Sequence, residues 1–246
     1  MTCGDPDMAT TQEVVMAAID AGADVIELGV PFSDPVADGP VIQRASERAL
    51  RGGANLEKIL QMAAEIRRHT TAGLMIFSYL NPILQFGVKR FCARAAAAGL
   101  EGALVVDLTL EESGDYVKAM RANQLCTVFL AAPTSSPDRL RRIAKASSGF
   151  IYAVSRTGVT GVQKHLQEGA RGLVERLRPL TDLPIAVGFG ISTATQLREV
   201  GRFADAGIVG SAIVGAIEQC PNRKGAGEAV GNLVRSLVGR ADRTPS

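Results

Sequence analysis

The sequence predicts an α/β protein, a (β/α)8 TIM barrel formed as a single domain over residues 1 to 246. Two observations carry that prediction. Short, near-continuously apolar runs alternate with longer stretches at helical spacing, and the residues able to do chemistry fall at or just beyond the ends of several different runs. Alternation of this kind is expected when parallel strands, covered on both faces, are joined by crossover helices. An open, doubly wound sheet would use the same strands and bind its ligand at a switch point. The barrel is preferred because its strand ends converge on one rim.

In chain order, the spacing predicts a helix over 10 to 21 and a strand over 25 to 29, where Val25-Ile26-Glu27-Leu28-Gly29 is apolar but for one acid. A helix over 55 to 69 leads to a strand over 73 to 79, and a helix over 87 to 98, stopped by Gly99 after its alanine run, leads to a strand over 102 to 107. The pattern continues with a helix at 111 to 123, a strand at 127 to 133, a helix at 137 to 146 and a strand at 150 to 155. A helix at 167 to 179 is followed by the turn residues Thr181 and Asp182 and by Pro184, which opens a strand over 184 to 190. A helix at 193 to 201, a strand at 205 to 210 and a helix at 227 to 238 complete the series, and residues 241 to 246 read as a flexible tail. These make seven strands, one short of a closed barrel.

Composition narrows the function classes. A length of 246 residues with 46% hydrophobic content suits one large core. The 27 basic and 25 acidic residues are dispersed and leave a formal charge of +2, which makes no electrostatic case for nucleic acid or an anionic membrane. Cys3, Cys92, Cys126 and Cys220 lack paired metal-ligand spacing, and no apolar signal segment opens the chain, so reduced thiols in a cytoplasmic protein are expected. His69 and His165 stand far apart and without a ligand cluster, so no metal is expected.

The most informative stretch is Glu27-Leu28-Gly29-Val30-Pro31-Phe32-Ser33-Asp34-Pro35-Val36-Ala37-Asp38-Gly39-Pro40. It ends an apolar strand in a carboxylate and continues into a proline-stiffened loop with a second acid. A buried Glu27 would hold a proton near neutrality while a better solvated Asp38 stays ionised, which separates an acid from a base by environment alone. The same residues also admit a structural reading, with Glu27 a paired buried charge and Asp34 and Asp38 turn residues bonded to the local backbone. Tyr79, Asp107, Tyr152, Gly188 and Gly210 lie at or beyond other strand ends. Taken singly, the tyrosines read equally well as core aromatics and Asp107 as a cap on the following helix.

Three glycine turns point to a phosphate, because glycine lets backbone N–H groups approach an anion and a following helix adds its positive end. They are Gly161, Gly188 with Gly190, and Gly210 with the Ser211 hydroxyl. Tight strand-to-helix turns would use the same glycines. Residues 156 to 169 form a polar, glycine-bounded connection long enough to act as a lid.

The fourteen-residue stretch closely resembles the signature of the tryptophan synthase alpha subunit family. Gly4-Asp5-Pro6, Tyr79-Leu80-Asn81-Pro82, Ser155-Arg156-Thr157-Gly158-Val159-Thr160-Gly161, Gly188-Phe189-Gly190-Ile191-Ser192 and Gly210-Ser211-Ala212-Ile213-Val214 resemble the family's other landmarks, in its order and over nearly the whole chain. The resemblance implies retro-aldol cleavage of indole-3-glycerol phosphate to indole and glyceraldehyde 3-phosphate. In that reading Glu27 and Asp38 are catalytic, and Phe77, Tyr79, Leu104, Leu130, Tyr152, Phe189 and Ile208 wall the substrate. Thr160 of the loop contacts Asp38, and Gly161, Gly188, Gly190, Gly210 and Ser211 bind the phosphate.

It further implies no cofactor in this chain and a pyridoxal-phosphate beta subunit as partner in an α2β2 tetramer, faced by Pro31, Asp34 and the region around Asp107. Two departures stand out. Thr109 occupies a position that is commonly proline in the family, and only Met1-Thr2-Cys3 precede Gly4 where the family has a helix and most of a strand. The expectation is therefore a truncated first strand and a longer parent chain. Three other readings share much of this pattern: a free-standing indole-releasing lyase, a phosphosugar isomerase on the same fold, and a partner-activating subunit with little activity of its own.

Overall fold

The computed structural model describes residues 1–154, 163–188, 190–220 and 225–239, with the side chains of 163–167 left aside. The expected loop contacts of Thr160 and Gly161, the wall residue Phe189 and the tail at 241 to 246 therefore lie outside the described residues.

Among the described residues, seven parallel strands form one curled sheet in sequence order: β1 (Val25–Gly29), β2 (Gly73–Ser78), β3 (Gly102–Val105), β4 (Cys126–Ala131), β5 (Ile151–Val154), β6 (Ile185–Gly188) and β7 (Ala206–Gly207). Each expected strand is present, and most are shorter than read from the apolar runs. Residues 1 to 3 run beside β1: Thr2 bridges Gly29 in parallel, Gly29 N–H donates to Met1 O at 2.8 Å, and Cys3 N–H to Gly29 O at 2.9 Å.

Side chains alternate across this sheet with a period of two. Leu74 and Ile76 of β2, Ala103 and Val105 of β3 and Ile26 and Leu28 of β1 face outward into the core shared with the helices. Phe129 and Ala131, Ile151 and Ala153, and Ile185 and Val187 do the same on β4 to β6. The intervening residues make the inward cluster of Met75, Leu104 and Val128 with Phe77, Val106, Leu130, Phe150 and Tyr152. On β6 the inward position is Gly188, where an added Cβ would lie 2.7 Å from the Tyr152 hydroxyl. Glycine is required there because the tyrosine ring crosses the space that a side chain would occupy.

The helices are α1 (Met8–Asp20), α2 (Pro40–Arg51), α3 (Leu56–Arg67), α4 (Leu80–Phe86), α5 (Val88–Ala97), α6 (Gly114–Ala122), α7 (Pro137–Ala146), α8 (Gln163–Leu177), α9 (Ala194–Val200), α10 (Ser211–Glu218) and α11 (Ala226–Val238). Local chemistry starts several of them. Asp7 caps α1 through Thr10 N–H, Asn55 caps α3 through Lys58 N–H, and Thr193 with Gln196 forms a capping box on α9. Helices α2, α4 and α10 were not expected. Pro40 and Pro82 each sit in a first turn, where a missing N–H has no intrahelical partner to lose. The buried face of α2 is formed by Ala45, Ser46 and Ala49.

A charge network ties the chain start to α2 and α10. Asp5 is 2% exposed and takes a fork from Arg48, Nε at 2.7 Å and Nη2 at 2.8 Å, while Arg48 Nη1 reaches Glu218 at 2.8 Å. Arg44 binds Glu218 through Nε and Nη2 at 2.9 and 2.8 Å. Hydrogen bonds from Arg44 and then Arg48 hold the Glu218 carboxyl down to about 2, so its contribution is present above the unfolded carboxylate range and is lost as pH falls toward that value. Removing one partner of a buried pair leaves the other charge uncompensated. Arg48→Ala is expected to destabilise the fold by about 2–3 kcal/mol, lowering the melting temperature by roughly 5–10 °C. Arg44→Ala, at the exposed end, should cost less than about 1 kcal/mol; equal melting temperatures for the two variants would contradict this assignment.

Candidate active site

Glu27 is the inward-facing residue of β1, flanked by the outward Ile26 and Leu28. Its Oε1 is shut off from solvent and has no hydrogen-bond partner. Burial pushes the carboxyl up to about 7, with the Met1 ammonium acting in the opposite direction. That ammonium donates to the Glu27 carbonyl at 2.9 Å. A group in this state carries a proton at neutrality for a good fraction of the time and can release or regain it at little cost.

Asp38 stands in the loop between β1 and α2 and is half-buried. Its Oδ2 accepts from the Tyr79 hydroxyl at 3.1 Å, and Gln43 Nε2 donates to its carbonyl at 2.9 Å. Burial raises its carboxyl and the Tyr79 hydrogen bond pulls it back. The expected contrast between the two acids is thus one of degree, since Asp38 is also shifted upward instead of resting at an ordinary solvated value.

Glu27, Asp38, Phe77, Tyr79, Tyr152, Ile208 and Gly210 line one cavity at the C-terminal ends of the strands. Its remaining wall comes from Met1, Thr2, Gly29, Val30, Ile42, Ser46 and Val214. Sequence reasoning missed that part of the wall because Ile42 and Ser46 belong to the unexpected α2 and Val214 to the unexpected α10. Burial, followed by the charge of Glu27, raises the Tyr152 hydroxyl so that it stays protonated at neutral pH. Leu104 and Leu130 pack beside Phe77 and Tyr152 in the inward cluster and not on the cavity wall.

The glycine turns divide into two kinds. Gly188 makes room for Tyr152, whereas Gly190, at φ +77°, and Gly210 have open space beside them. Just ahead of α9, Ser192 and Thr193 N–H both donate to the Gln196 side chain, and Gln196 N–H donates to Thr193 Oγ1. Helix α10 starts at Gly210 and the exposed Ser211 with no side-chain cap, which leaves its positive end available to an anion at the cavity mouth. Of the residues expected to face a partner, Asp34 and Asp107 are exposed and Pro31 is buried. Asp107 does not cap the helix that follows it; its Oδ1 accepts from Leu80 N–H at 2.7 Å and so caps α4, the helix of the preceding unit.

A second cavity, lined by Asp5, Pro6, Arg48, Ile217, Glu218, Cys220 and Ala226, carries charges already paired with one another. The cysteines are all free, with Cys3 and Cys92 buried. Among the described residues no group of His, Cys, Asp and Glu side chains is arranged to hold a metal ion, and no helix is long and apolar enough to cross a membrane.

The raised Glu27 carboxyl has a stability signature. Its folded value exceeds its unfolded one, so the chain is relatively most stable below about 4.5 and loses stability as pH rises through about 7. Glu27→Gln removes this dependence. Its unfolding free energy, from denaturant titration, should match that of the parent near pH 4 and exceed it by a margin that grows across this window to roughly 3 kcal/mol. A constant difference from pH 4 to 8 would show that Glu27 is not desolvated.

Residues 1–237 match the family model described as tryptophan synthase alpha chain. The chain is 51% identical over 219 residues to the tryptophan synthase alpha chain of Solibacter usitatus, covering 89% of this chain and 82% of that one. It is 45% identical over all 246 residues to that of Synechococcus elongatus, covering 91% of the relative. Among solved structures, the tryptophan synthase a2b2 complex from Pyrococcus furiosus contains a chain that superposes with a TM-score of 0.90 at 38% identity, covering 97% of this chain and 96% of that one. Mycobacterium tuberculosis tryptophan synthase gives 0.88 at 35% identity over 96% of this chain and 88% of that one. With two acids, two tyrosines and an uncapped helix start gathered at the rim of a curled parallel sheet, and with likeness extending along nearly its entire length, the chain belongs to the tryptophan synthase alpha chain family, enzymes of tryptophan biosynthesis.

Proposed function

We propose that this chain cleaves indole-3-glycerol phosphate by a retro-aldol reaction and delivers the indole to a beta subunit, in the cytoplasm. One observation carries the reading: a carboxyl at about 7 with an unpartnered oxygen shares a cavity with a second carboxylate held by a phenol.

Two proton transfers are needed. Glu27 gives its proton to C3 of the indole ring while Asp38 draws the ring N–H toward itself, forming the indolenine tautomer. The Glu27 carboxylate, now free, takes the proton from the substrate hydroxyl next to the bond to be broken. The C–C bond electrons flow into the ring, the hydroxyl carbon becomes the aldehyde of glyceraldehyde 3-phosphate, and the nitrogen recovers its proton from Asp38. Glu27 serves as acid and then as base, which a value near neutrality allows. The ring is the electron sink, so the chemistry asks for no cofactor in this chain. Pyridoxal phosphate belongs in this reading to the beta subunit.

The substrate phosphate sits at Gly190, Gly210 and Ser211, and Phe77, Tyr152 and Ile208 hold the ring. Anchoring the phosphate supplies binding energy remote from the bond that breaks. The beta subunit docks on the rim presented by Asp34 and Asp107, giving the α2β2 assembly named for the Pyrococcus furiosus complex.

Glu27→Gln and Asp38→Asn should each lower indole release by at least about 100-fold while the chain still melts cooperatively. The assay is indole formation from indole-3-glycerol phosphate by purified protein, with and without a beta subunit. Near-normal turnover in either variant removes that residue from the mechanism. Full activity without any beta subunit would favour a free-standing lyase, and no indole in either condition would favour a partner-activating role.

A further inference from the structure

Tyr79 is placed in the wall of the cavity, but its hydroxyl is turned away from a purely apolar task. It accepts from Ala37 N–H at 3.0 Å and donates to Asp38 Oδ2 at 3.1 Å, so one phenol oxygen spans two consecutive residues of the loop between β1 and α2. The ring is 3% exposed and packs against Phe32 of the same loop, centroids 5.0 Å apart at 32°. Its backbone is fixed independently of the loop. Ser78 Oγ donates to Tyr79 O at 2.8 Å, Leu80 N–H donates to Asp107 Oδ1 at 2.7 Å, and Val106 N–H donates to Ser78 O at 2.9 Å. The loop, by contrast, has Ser33, Asp34, Val36 and Ala37 exposed. The end of β2 therefore holds this solvent-facing segment through the Tyr79 ring against Phe32 and through the Tyr79 hydroxyl.

We propose that Tyr79 is a positioning residue, whose hydroxyl clamps the loop through Ala37 and aims the Asp38 carboxylate into the cavity as an ionised acceptor. The proposal rests on the reading of Asp38 as the group that draws the indole N–H. A carboxylate is a stronger acceptor than a neutral carboxyl, so a hydrogen bond donated by the phenol favours the ionised form. This agrees with the direction in which Tyr79 moves Asp38 against burial. Burial, with the charges of Asp38 and Asp107, raises the Tyr79 hydroxyl to about 12, so it keeps its proton and remains the donor. The titratable groups facing this contact are Asp38 from the loop, Asp107 from the end of β3, and Glu27, Tyr152 and the Met1 ammonium across the cavity. Among the described residues lining the cavity the one cation is the Met1 ammonium, which donates to the Glu27 carbonyl, and the phenol is the side chain that donates to the Asp38 carboxylate.

The test is Tyr79→Phe, which keeps the ring against Phe32 and removes only the hydroxyl. Three quantities are read: the melting temperature, the pH profile of kcat for indole release, and the Asp38 carboxyl titration followed by carbon NMR in the protein without substrate. The expected result is a folded variant with kcat lower by roughly tenfold, KM little changed, the acid limb of kcat moved to higher pH, and the Asp38 titration moved upward with it. A rise in KM alone, with kcat and both titrations as in the parent, would make Tyr79 a wall residue only and overturn the proposal. An unmoved Asp38 titration overturns it whatever happens to activity, and this readout does not depend on the reaction. Asp38→Asn, assayed beside it, separates the two failures. If Asp38→Asn retains turnover, the catalytic reading of Asp38 falls and the aiming role falls with it. If Asp38→Asn is inactive and Tyr79→Phe behaves as the parent, only the positioning role is lost.

Discussion

The parallel ladder in which Val25–Gly29 runs beside Gly73–Ser78, with Glu27 opposite Met75 and Gly29 opposite Phe77, is the constraint on which the site depends. Because side chains alternate along a strand, this register sends Ile26 and Leu28 to the helices and leaves Glu27 no choice but the inward face. There Met75 and Tyr152 lie on the same face, the Met1 ammonium is close by, and Oε1 finds no donor. An unpartnered buried carboxylate is costly when charged, and the system reduces that cost by raising the value at which the proton leaves. Stability and reactivity are thus opposed at this residue: the arrangement that weakens the fold at neutral pH is the one that makes the group a usable acid.

The second acid is placed by different means. No ladder reaches Asp38; it is held by a phenol from the end of β2 and by the start of α2. Helix α2 is in turn fastened at its far end by Arg48, which joins the buried Asp5 to Glu218 at the end of α10. The same guanidinium therefore stands behind two walls of the cavity, the one bearing Ile42 and Ser46 and the one bearing Val214. An exposed ion pair would contribute little, but a fork onto an acid that is 2% exposed fixes geometry as well as energy.

The strands were legible because each parallel strand, covered on both faces, is a compact apolar run, and β1 to β7 all fall within the runs read from the sequence or within one residue of them. Helices α2, α4 and α10 were illegible for identifiable reasons. Two carry proline in their first turn, and α10 follows a glycine turn that draws attention to anion binding instead of to the helix whose positive end makes it work. Leu104 and Leu130 show the limit of reading a wall from strand positions: inward-facing is a local property, whereas lining a cavity depends on how far along the barrel axis the residue lies. Asp107 shows another, since the amide it caps belongs to the helix after β2, a neighbour in space and not in order.

What the sequence determined by itself is the alternation that makes a parallel α/β sheet, the identity of the two acids, and their unlike settings on a strand and in a loop. These are local properties, set by side-chain type and by spacing. What only the tertiary structure decided is that Tyr79 reaches Asp38 across 41 residues of chain, that Gly188 vacates space for Tyr152, and that Pro31 is buried while Asp34 is exposed. Those outcomes depend on the curl of the sheet, which brings strand ends distant in sequence within hydrogen-bond reach, and no pattern along a single strand encodes the distance between two others.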